Sequence, residues 1–103
     1  MILHCVFFRF REDAPSETCR DVLSELATFA RGLAGVLDFD AGPNRDFEGK
    51  SPNYSEGFVV RFSNRGALDH YAQHPAHQEL GARLCDLCVG GADGIIVFDL
   101  ETP

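Results

Sequence analysis

The order of hydrophobic patterns along this chain predicts an α+β fold of the ferredoxin-like βαββαβ kind, a four-stranded antiparallel sheet with helices on one face. Three observations predict it. Short runs rich in aromatic and branched residues stand near the two ends, at 2–10 and 94–100. Inside them lie apolar stripes at helical spacing, and between the stripes lie two further segments, 36–41 and 54–62, with strand character.

The first run is too short for a helix that must stand in water, and its composition suits a strand. Its even positions are Ile2, His4, Val6, Phe8 and Phe10, and its odd ones are Leu3, Cys5, Phe7 and Arg9. Both faces are therefore apolar. Helices can cover one of them, and a partner subunit is the simplest cover for the other. A polar turn at 11–15 follows, after which Ser16 is expected to cap a helix over 16–31, with Glu17 favourable at its positive end. Val22, Leu23, Leu26, Phe29, Ala30 and Leu33 form its apolar stripe, and Gly32 and Gly35 end it.

In the next strand Leu37, Phe39 and Ala41 alternate with Asp38 and Asp40, the pattern of one wet face. Residues 42–53 carry two prolines, two glycines and charges of both signs. A loop of that length serves as a lid, a partner contact or a plain connector. The third strand, 54–62, sets Tyr54, Glu56, Phe58, Val60 and Phe62 on one face. Glu56 either reaches water at the strand end or sits in a pocket with a raised pKa.

Asn64 is expected to cap a short helix in which Leu68, Tyr71 and Ala72 share a face. Pro75 cannot continue that helix but suits the first turn of another, so two helices meet at His74 and Pro75. The second, over 75–88, carries His77, Leu80, Leu84 and Leu87 on one stripe, and Gly90 and Gly91 stop it. The closing strand, like the first, is apolar on both faces. Two such sheets packed face to face bury these second faces, which predicts a homodimer of the dimeric α+β barrel type.

The bulk numbers set limits on function. A chain of 103 residues is read as a single domain over 1–103. Sixteen acidic against nine basic residues leave a net charge of −7, which disfavours nucleic acid and anionic membrane surfaces as partners. That charge also weighs against an RNA-binding reading of the aromatic third strand. No apolar run approaches the ~20 residues of a membrane span. The N-terminus has no basic segment followed by a long apolar one, so the four cysteines are expected to be reduced thiols in a cytoplasm. Cys85 and Cys88 form a Cys-x-x-Cys at a helix end, away from the positive end that activates thiols, and are read as small core fillers.

The densest chemistry lies in Tyr71-Ala72-Gln73-His74-Pro75-Ala76-His77. A neutral imidazole with a pKa of about 6.5 can take a proton from a carbon beside carbonyl groups, and a phenol can donate to the enolate oxygen that forms. His77 and Tyr71 fit those roles. They also fit a core in which the His77 ring nitrogens are satisfied by Tyr71 or by backbone and the buried phenol finds a partner. His74 is expected to cap the helix that starts at Pro75. A metal site at His70, His74 and His77 is set aside because Pro75 breaks the helical phase between them.

With Tyr-x-x-His-Pro-x-His before the last helix, the chain resembles the stress-responsive α/β barrel (Dabb) domain family. Further points of likeness are His4 in the first strand, Gly42-x-Asn44 after the second, Phe62 nine residues before Tyr71, and the closing Val97-Phe98-Asp99. The likeness covers nearly the whole chain. It implies the dimeric barrel and a stress-response setting. Plant polyketide cyclases of this family close a poly-β-ketone by an intramolecular aldol step without metal or organic cofactor. Carried over, the resemblance puts the base at His77, the carbonyl-holding phenol at Tyr71 and a further pocket residue at His4. Glu56 stands where those cyclases have a histidine, which alters the charge of the pocket and the pKa of His77. The expectation is thus a small-molecule pocket on the helix-covered face, lined by His4, Glu56, Phe58, Tyr71 and His77. The rival is a non-catalytic binding or structural dimer with the same fold.

Overall fold

A computed structural model describes residues 1–103. The elements run β1 (Ile2–Phe8), α1 (Ser16–Arg31), β2 (Val36–Pro43), β3 (Glu56–Phe62), α2 (Arg65–Gln73), α3 (Pro75–Leu87) and β4 (Ile96–Glu101), with a 3-10 turn at Gly91–Gly94 before the last strand. The sheet is antiparallel throughout and ordered β2-β3-β1-β4. The predicted ferredoxin-like α+β fold is present. β1 lies inside the sheet, which explains why both of its faces are apolar.

Alternation and register sort the sheet's side chains into two sets. Ile2, Val6 and Phe8 of β1, Phe58, Val60 and Phe62 of β3, and Phe39 of β2 are buried. They form one core with Val22, Leu26 and Ala30 of α1, Tyr71 of α2, and Leu80 and Leu84 of α3. The opposite face carries Leu3, Cys5 and Phe7 of β1, which lie across from Leu100, Phe98 and Ile96 of β4 and from Arg61, Val59 and Gly57 of β3. Asp38 and Asp40 of β2 extend that face beside Arg61 and Val59. No helix packs there, and Phe98 and Leu100 are 53% and 56% exposed. Gly57 makes room for Phe7 on this face, since a Cβ at 57 would stand 2.3 Å from the Phe7 ring.

Four local expectations need correction. Ser16 is the first helical residue rather than the cap. Pro15 is the cap, in extended conformation, and makes no side-chain hydrogen bond; its carbonyl accepts from the Cys19 N–H at 3.0 Å. Leu37 does not share a buried face with Phe39, because the register jumps between Val36 and Asp38 and the bulge leaves Leu37 in water. β3 starts at Glu56 and not at Tyr54, whose N–H is drawn into the preceding loop by the Ser51 carbonyl at 3.2 Å. β1 ends at Phe8, and Phe10 makes an isolated bridge to Cys88. Gly35, between α1 and β2, has φ +84°, and a Cβ there would stand 2.5 Å from that of Ala67. A side chain is excluded twice over at that position.

Candidate functional site

Pro75 breaks the helical run and fixes the geometry of everything around it. α2 stops at Gln73, and His74 is extended, its N–H donating to the Tyr71 carbonyl at 3.3 Å. The His74 ring turns back and accepts the Ala76 N–H at Nδ1, 3.0 Å away, so it caps α3 as the sequence suggests. That ring also meets Phe29 edge-on at 4.8 Å. His74 is committed to structure, and His70 lies exposed with its ring 6.0 Å from it.

Tyr71 sits in the last turn of α2 and His77 in the first turn of α3, and the break between them lets the rings meet at 4.4 Å. His4 reaches the same place from β1, with its ring 6.0 Å from Tyr71. Phe62 and Phe29 close the remaining sides of the phenol at 5.2 and 5.8 Å. Tyr71 is 0% exposed, and its hydroxyl has no hydrogen-bond partner. Burial pushes the phenol well above its ordinary pKa. The group is therefore a neutral donor at physiological pH.

The two imidazoles are oriented by different partners. His77 Nδ1 lies 3.1 Å from the Ala72 carbonyl. Burial lowers the His77 pKa, opposed by that carbonyl and reinforced by His4. The ring is consequently neutral at pH 7, donates from Nδ1 to Ala72, and keeps an unprotonated Nε2. His4 lies opposite Asp99 in the β1 and β4 register, and its Nδ1 is 2.6 Å from an Asp99 carboxylate oxygen. That contact orients the His4 ring and leaves its Nε2 as the free ring atom.

Asp99 is the residue that sequence reasoning passed over as a partner. Its signal was present: an acid inside the apolar run of β4 is the same anomaly as Glu56 in β3. Register decides between them. Glu56 pairs with Phe8, whereas His4 pairs with Val60, four residues along, which is roughly 13 Å at the rise of a strand. Glu56 instead lines a hollow of about 340 Å³ at the start of α1, with Arg11, Ser16, Cys19 and Arg20. It neither joins Tyr71 and His77 nor changes the charge beside them. Phe58 is likewise placed elsewhere, buried in the core and stacked on Phe39 at 5.3 Å.

His4, Tyr71 and His77 pack together as one cluster, with the His4 and Asp99 pair at its outer edge. The surface hollows of about 220 to about 500 Å³ are lined by other residues. Cys88 is a core filler, its thiol pushed up to about 11 chiefly by burial. No helix is long and apolar enough to cross a membrane.

These features define an α+β sandwich of ferredoxin-like type with a histidine and tyrosine cluster between its sheet and its last two helices. The model of the stress-responsive α/β barrel domain matches residues 2–102, and the chain belongs to that family. It is similar to a dimeric ferredoxin-like protein of unknown function from Jannaschia sp. CCS1, with 40% identity, 98% of each chain covered and a TM-score of 0.91. Two more distant structures share the fold. A protein of Arabidopsis thaliana has 19% identity over 100% of this chain and 96% of its own, with a TM-score of 0.85. The hydroxynitrile lyase of Passiflora edulis has 11% identity over 96% and 90%, with a TM-score of 0.80. No curated protein matches the chain.

Proposed function

We propose that this chain is a cytoplasmic homodimer, one domain per copy, that binds a small carbonyl compound at the Tyr71, His77 and His4 cluster and moves a proton on it without metal or organic cofactor. The observation that carries the reading is the Tyr71 hydroxyl, a donor wholly covered and unpartnered between two imidazoles. A buried hydroxyl left without a partner costs about 1–3 kcal/mol, so a fold that keeps one has a use for it. A carbonyl oxygen of the ligand accepts from Tyr71. His77 Nε2 takes the proton from the adjacent carbon, and the negative charge that develops on oxygen is held by the phenol. Binding requires the rings to part, and the cluster reaches the surface both at His4 and Asp99, whose side chains are 14% and 46% exposed, and at the partly exposed His77.

Pairing of two copies through the free sheet face is supported by the exposed Phe98 and Leu100 and by the dimeric state stated for the Jannaschia relative. The second reading, a non-catalytic dimer, is favoured by the complete cover over Tyr71.

Hydrogen–deuterium exchange at the central carbon of a panel of small β-dicarbonyls, followed by NMR, tests the reading. Wild type should accelerate exchange for at least one compound, and His77→Ala should lose about 10²–10⁴-fold of that rate. Equal rates for the two proteins would remove His77 from its role. No acceleration and no binding by wild type would leave the non-catalytic dimer.

A further inference from the structure

Phe47 stands at the tip of the loop between β2 and β3, and 94% of it is exposed. Single exposed apolar residues are common, but this one is presented by an ordered support. Asp46 takes φ 47° and its carboxylate accepts from the Lys50 and Ser51 N–H groups and the Ser51 hydroxyl at 2.8 to 2.9 Å. Asn44 donates to Ser51 Oγ at 2.9 Å and to the Tyr54 carbonyl at 2.7 Å, while its own side-chain oxygen accepts from Asp46 N–H at 3.0 Å. Those bonds hold the carboxylate of Asp46 below its ordinary pKa. None of these bonds involves Phe47.

The loop leans over the free face of the sheet. Arg9 donates to the Pro52 carbonyl at 3.1 Å, and Tyr54, Lys50 and Ser51 wall a hollow of about 310 Å³ whose floor is Phe7, Ile96 and Phe98. A second hollow of about 500 Å³ is shared by Phe7 and Phe47. Phe47 therefore rises from the side on which no helix packs, where Phe98 and Leu100 are exposed. Arg45 and Lys50 line the hollows beside it, and the β2 side of the sheet carries Asp38 and Asp40.

We propose that Phe47 is an anchor between two copies of the chain: the β2–β3 loop of each carries it onto the apolar β1 and β4 half of the other copy's free face, where Phe98 and Leu100 receive it. This rests on the reading that the chain pairs through that face. A two-fold interface makes the contact twice, once from each loop. Asp46 and Glu48 flank Phe47 and the chain carries a net charge of −7, which disfavours an anionic lipid surface, while the 40% identical Jannaschia relative is dimeric. An aromatic side chain delivered rigidly into a desolvated site is the residue type that dominates interface energies.

The chain has no tryptophan, so Phe47→Trp creates a single reporter at the tip. At concentrations where light scattering gives the mass of two chains, the indole emission of this variant should be blue-shifted and shielded from acrylamide, and both should revert on dilution to the mass of one chain. Phe47→Ala should raise the dimer dissociation constant about 30-fold or more, given roughly 2 kcal/mol for a hot-spot aromatic and tenfold per 1.4 kcal/mol. A two-chain mass with water-exposed indole emission, or with an unchanged constant for Phe47→Ala, overturns the anchor and leaves the sheet-face dimer standing. A one-chain mass for wild type at every concentration overturns both. A blue shift that appears only with anionic phosphatidylserine vesicles assigns Phe47 to a membrane and overturns the proposal.

Discussion

The two faces of the sheet are built from the same strands and differ in what completes them. On the helix-covered face Phe8, Phe62, Val60 and Tyr71 are closed in by three helices of the same chain, and what is left over there is polar: the Tyr71 hydroxyl without a partner. On the free face Phe7, Phe98 and Leu100 meet no helix, and what is left over is apolar. Each remainder points to something outside the chain, a small acceptor on one side and a second hydrophobic surface on the other. The functional reading of each face thus rests on a group left unsatisfied, a buried hydroxyl on one and exposed apolar surface on the other.

The largest contrast comes from truncating a phenylalanine on each face. Phe8→Ala should cost about 3–5 kcal/mol in urea unfolding at any protein concentration, because a filled core site loses its contents. Phe98→Ala should change the stability of the isolated chain by no more than ~0.5 kcal/mol, yet weaken pairing in sedimentation equilibrium. A large loss in the monomer from Phe98→Ala would mean that the free face is closed from within.

An intermediate effect is expected at His77 and is read through pH. Its pKa is lowered in the fold, so below about 6.5, the ordinary value, the unfolded chain takes up a proton that the folded chain refuses. Stability should therefore fall as pH drops from about 6.5 toward the folded value, and then level off for this group. His77→Gln should flatten that part of the profile in melts taken between about pH 7 and about pH 4. An unaltered slope would place the proton elsewhere.

Most of the fold was legible in the sequence because its signals are local. The proline at 75, the asparagine at 64 and the leucine stripe after His77 mark the two helices at almost their observed limits. The shift of the α1 cap to Pro15 is local, whereas the departures at Leu37, Glu56 and Asp99 share one physical cause, long-range register. The alternation around Leu37 looked unbroken, and only pairing with β3 shows the bulge. Parity correctly put Glu56 on the helix side of β3, but parity says nothing of position along the strand, and the register with β1 puts Glu56 at the end away from His4. The pairing of His4 with Asp99, residues 95 apart in the chain, was hidden for the same reason. Tyr71 and His77 were legible because one proline joins them. That the phenol is wholly covered was not, since closure depends on Phe29 and Phe62 arriving from α1 and β3.

The smallest expected change in stability also tests most directly whether the Tyr71 hydroxyl is kept for a ligand. Tyr71→Phe removes one oxygen and nothing else. The unliganded variant should be as stable as wild type or more stable by up to ~1 kcal/mol, since an unpartnered buried hydroxyl is removed, and it should lose dicarbonyl binding and exchange. A variant destabilised by more than ~1 kcal/mol that still binds as wild type does would show that the hydroxyl serves the fold and not a ligand.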